Sequence, residues 1–284
     1  MSSREMLFRL PPPVAMVFEW ALPVVGERAT SALSEFVALR GQPATWLSRF
    51  RHRPAALFRG DDSGPLWVLV AEFADSYEHP TASWLYEQAA TRSRDGILRA
   101  YLYSRAAVAA IRNLGSGKAE ELLDRAEAGE PAGHLLWEYH RAAFRSNASA
   151  VLAATLPLAT SLDLGFSRPV LEAMGMTAED AVQDDAFAAF VEEFAEHHPA
   201  LLEQARLFVA LNAASALQAT GQLNAAQMLL EGLAGGLSAY GGGQPGVAAQ
   251  TTGTLPIPSS SDLILSVTAG SVPAPGDIST SGVR

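Results

Sequence analysis

A chain of 284 residues, 49% of them apolar and none of them cysteine, is long enough to bury a core but excludes a disulfide framework, a thiolate metal site and a cysteine nucleophile. Its formal charge of −10 argues against a general nucleic-acid binder, because phosphate contacts gain from counterion release only on a basic surface. Alanine is abundant and β-branched residues are sparse through the middle, so the expected fold is all-α.

Lysine occurs once, at Lys118, and arginine supplies every other basic side chain, a bias of GC-rich genomes that points to a bacterial source. With no cysteine and no convincing export signal, a cytoplasmic location is expected. The apolar stretch 10–25 is interrupted by Pro11, Pro12, Pro13 and Glu19 and is too short to cross a bilayer, so no transmembrane segment is expected and the stretch reads as a packed helix.

In chain order, three consecutive prolines keep residues 1–13 extended. Helices are expected over 14–21, 29–39 and 43–51, forming with the leading segment an N-terminal helical cap, residues 1–60. A first helix over 65–78 ends at His79-Pro80, and Thr81 is placed to cap a second helix carrying Ala82, Tyr86 and Ala89. Helix formers fill 97–113. After a turn over 114–117 comes a helix with Ala119, Leu123 and Ala126 on one face, stopped by Pro131. A third pair is expected over 132–146 and 148–160, an irregular insertion over 165–176, and a helix opened by Thr177 and Asp180 and reaching His198. A last pair runs over 201–220 and beyond Gly221, with Ala226 facing Leu230. From Gly235 the composition turns to Gly, Ser, Pro and Thr, so residues 238–284 read as a flexible tail holding one apolar island, 263–268.

The motifs that suggest chemistry have structural readings as well. Glu193 and His197 stand one helical turn apart within the cluster Glu192, Glu193, Glu196, His197, His198, which is the spacing of a two-point metal chelate. A di-iron bundle needs Glu and His three apart on two helices, and that pattern is missing, so the cluster reads as an exposed acidic helix ending in histidines. The run 113–118 has a Gly-Lys pair but neither the first glycine nor the Ser/Thr of a phosphate loop. His134, Glu138 and His140 share one helix without a nucleophile motif. No cofactor is called for, and the reading is non-catalytic.

Small, large, small residues at Ala82, Tyr86, Ala89 and again 37 positions later at Ala119, Leu123, Ala126, the second set closed by Pro131, resemble the tetratricopeptide signature. Ala226, 107 positions beyond Ala119, falls near three repeat lengths. The resemblance covers 61–237 and implies stacked helical hairpins in a right-handed α-solenoid whose first helices form a groove for a partner protein or peptide. Tyr101, Arg105, Arg112, Trp137 and Arg141 are the residues expected to line it, with the arginines clamping a carboxylate or acidic peptide. The alternatives are an all-α small-ligand- or metal-binding protein or enzyme, and a permanent subunit of a larger bacterial assembly.

Overall fold

The computed structural model describes residues 12–26, 44, 47–48, 64–164, 168–177 and 184–241. Among these no strand occurs, and the fold is all-helical. The helices are α1 (Pro12–Val25), α2 (Gly64–Ser76), α3 (Ala82–Arg92), α4 (Gly96–Asn113), α5 (Ser116–Gly129), α6 (His134–Phe144), α7 (Ala148–Ser161), α8 (Arg168–Ala173), α9 (Asp185–His197), α10 (Pro199–Ala219) and α11 (Leu223–Gly241). A 3₁₀ turn, Pro131–Gly133, leads into α6.

Sequence-adjacent helices pack on one another from α2 through α7, and α10 packs on α11. Both small-large-small sets are buried: Ala82, Tyr86 and Ala89 on α3, and Ala119, Leu123 and Ala126 on α5. Small residues at these positions let neighbouring helices approach closely while the large one fills the gap between them. Ala226 is buried in a second, smaller core with Val170, Ala213, Leu217 and Leu229, and Leu230 packs at its edge.

Two helices organise the interior. Every residue of α2 from Leu66 to Ala74 is buried, Glu72 included. A helix apolar on all sides belongs inside a domain rather than on its surface. On α10, likewise, buried residues fall on every side, from Leu201 through Gln204, Val209 and Asn212 to Leu217. α10 packs against α1, α7, α9 and α11, and its Gln204 is hydrogen-bonded to Glu72 of α2, 132 positions away. In a linear repeat array each unit touches only its neighbours. The helical region of this chain is therefore also tied across its middle.

Several expected boundaries move, for local reasons. α1 starts at Pro12, because proline in the first turn has no N–H to lose, and it packs on α2 and α10. The expected helices over 29–39 and 43–51 lie outside the described residues, apart from 44 and 47–48, which are helical. α4 is capped by Asp95, which accepts from the Leu98 N–H at 2.8 Å. Thr81 precedes α3 but makes no cap; its hydroxyl bonds His79 Nδ1 at 2.8 Å. α5 begins at Ser116, because Gly115 takes up the turn at φ +88°, so Lys118 sits in the helix, paired with Glu121 and Glu87. The expected insertion contains α8. α9 opens later than Thr177, at Asp184, which accepts from the Phe187 N–H at 2.8 Å. α11 continues to Gly241, past the expected start of the tail, and residues 242–284, with the apolar island, lie outside the described residues.

Candidate functional site

The apolar helix α2 carries two acids three residues apart, Glu72 and Asp75, a spacing that puts them on one face. On α4, Tyr101, Arg105 and Arg112 recur at helical spacing and share a face. Packing brings these faces together around one guanidinium. Arg105 Nη2 donates to Asp75 Oδ2 at 2.8 Å, to the Tyr86 hydroxyl at 3.0 Å and to Glu72 Oε2 at 3.4 Å. Arg112 donates to Asp75 Oδ1, Gln204 Nε2 to Glu72 Oε2, and the Tyr101 hydroxyl to Gln204 Oε1 at 3.4 Å.

Two carboxylates thus face two guanidiniums, and the cluster is formally neutral. Glu72 is 1% exposed and Arg105 7%. Burial raises the pKa of the Tyr86 and Tyr101 hydroxyls, keeping both protonated. Burial opposes the charge on Arg105, but Tyr86 and Glu72 more than offset it, and the guanidinium stays charged. Buried charges persist in proteins only when paired in this way.

The polar interior extends from Arg105 toward α6. The Phe208 ring lies 5.8 Å from the Arg105 guanidinium and 5.6 Å from the His140 ring, and the Tyr139 and His140 rings are 5.4 Å apart. Burial, reinforced by Arg105, lowers the pKa of His140 to about 3, so the imidazole is neutral. Burial raises that of Tyr139, and the neighbouring Asn212 side chain partly offsets it. The Tyr139 and Asn212 side chains hydrogen-bond each other, and Arg105 Nε and His140 Nδ1 are buried there without a hydrogen bond.

A second arginine forms a contrasting cluster at the surface. Arg141 on α6 donates to Glu127 at 2.7 Å, Glu138 at 2.8 Å and Asp124 at 3.1 Å, and pairs with Glu120 at 3.5 Å. Four carboxylates therefore surround one cation, all of them on the exposed faces of α5 and α6, Asp124 at 72%. Beneath them Trp137 is fully buried, its Nε1–H donating to the Glu130 carbonyl at 3.0 Å.

The five residues expected to line a groove are therefore divided. Tyr101, Arg105 and Trp137 point into the interior, Arg112 is held by Asp75, and Arg141, its side chain 12% exposed, is held by the exposed carboxylates of α5 and α6. Their apolar and aromatic neighbours, which suggested a groove, are the walls of a core. Glu193 and His197 are exposed on α9, whereas His198 turns inward, its Nε2 bonded to Asp95 Oδ2 at 2.8 Å and its ring 5.6 Å from Trp20. Among the described residues no group of three or more His, Asp or Glu side chains is placed to hold a metal ion. His134 faces Asp184 at 3.5 Å, apart from His140.

Glu72, Asp75, Gln204 and Asn212 did not stand out in the sequence. The one signal was an acid pair inside an otherwise apolar helix, 64–76, where a carboxylate must find a partner or lose its charge. No protein-family model, curated protein or solved structure matches this chain.

Proposed function

We propose that the chain is a non-catalytic interaction module of tetratricopeptide-like hairpins that holds a partner protein or peptide. The observation that carries this reading is the recurrence, 37 positions apart, of buried small-large-small contacts on α3 and α5, each on the second helix of a packed pair. Stacked pairs of this kind present one outer face per hairpin, and such faces are used for recognition.

The partner-facing surface in this reading is the exposed side of α5 and α6, since three of the residues first expected to touch a partner are buried. Glu120, Asp124, Glu127 and Glu138 exceed the one cation among them, Arg141, and a partner segment rich in arginine or lysine complements that surface.

The test is capture from a lysate of the source organism on the immobilised full-length chain, beside a variant with Asp124→Arg and Glu138→Arg. Both positions are exposed, so helicity by circular dichroism stays unchanged. A partner retained in stoichiometric amount by the native chain and lost by the variant supports the module and its surface. Equal retention moves the contact elsewhere, and no retained protein by either form removes the reading.

A further inference from the structure

We draw no further inference here: the strongest candidate, the side-chain cluster of Glu120, Asp124, Glu127 and Glu138 on the outer faces of α5 and α6, belongs to the surface already described, and its contacts with Arg141 are internal to the cluster and point to no ligand.

Discussion

Arg105 and Arg141 lie on α4 and α6, each making several bonds to carboxylates, yet they are opposite kinds of structure. Arg105 is enclosed, its positive charge matched by Glu72 and Asp75 and its environment completed by Tyr86 and Gln204. Arg141 has more carboxylates around it, and although its own side chain is 12% exposed those carboxylates are 41–72% exposed, so water competes at the acid end of every bond. Counting ion pairs would rank Arg141 the stronger. Burial reverses the order, because a charge that loses its partner in the interior has no solvent to fall back on, whereas a surface carboxylate does.

The largest effect that separates the two sites is their truncation. Arg105→Ala leaves Glu72 buried and unpaired and should lower stability by about 3–5 kcal/mol in urea unfolding, while Arg141→Ala should cost about 0–1 kcal/mol. Equal losses would break the comparison.

Acid tests the buried side a second way. The folded-state pKa of His140 lies at about 3 against an ordinary 6.5, so between these values the unfolded chain binds the extra proton. The corresponding stability is present above pH 6.5 and drains away as pH falls toward 3. His79, whose pKa burial also lowers, adds to the same slope. His140→Phe should flatten most of the loss between pH 6.5 and 4 in thermal melts; an unchanged profile would place His140 in contact with water.

Packing sets how firmly Arg141 is presented. A Cβ on Gly133 would come within 2.5 Å of the Trp137 ring, which is rigid and fully buried. Gly133→Ala should therefore destabilise by about 1–3 kcal/mol through overpacking at the start of α6. A melting temperature equal to that of the native chain would show that α6 can shift freely. The smallest effect is salt: about 1 M salt should erase the difference between native and Arg141→Ala while leaving the Arg105→Ala loss nearly intact. A salt-insensitive Arg141 would make it part of the buried class.

The helices were legible wherever a local signal sufficed. The breaks at His79-Pro80, at Gly115 and at Gly221 fall within a residue or two of where punctuation by proline and glycine puts them. Where two capping signals compete the reading was less secure. Thr177 and Asp180 offered a start for α9, and the structure uses Asp184, whose carboxylate reaches the Phe187 N–H. The candidate site was hardly legible at all. Arg105 and Tyr101 were picked out as partner-facing because arginine and tyrosine are common on recognition surfaces, and both face the interior. Nothing local distinguishes an arginine that will meet a buried glutamate 33 positions away from one that will meet water.

Composition, periodicity and turn residues by themselves determined that this protein is all-α, roughly where most of its helices stop, and which alanine faces are buried, because each of these depends on contacts within a few residues or on a helix's own pattern. Only the tertiary structure decided that α2 and α10 are enclosed, that Glu72, Arg105 and Gln204 meet, and that Arg141 meets solvent-exposed carboxylates instead. Those outcomes rest on contacts between residues up to 132 positions apart, whose worth depends on how completely the intervening helices exclude water.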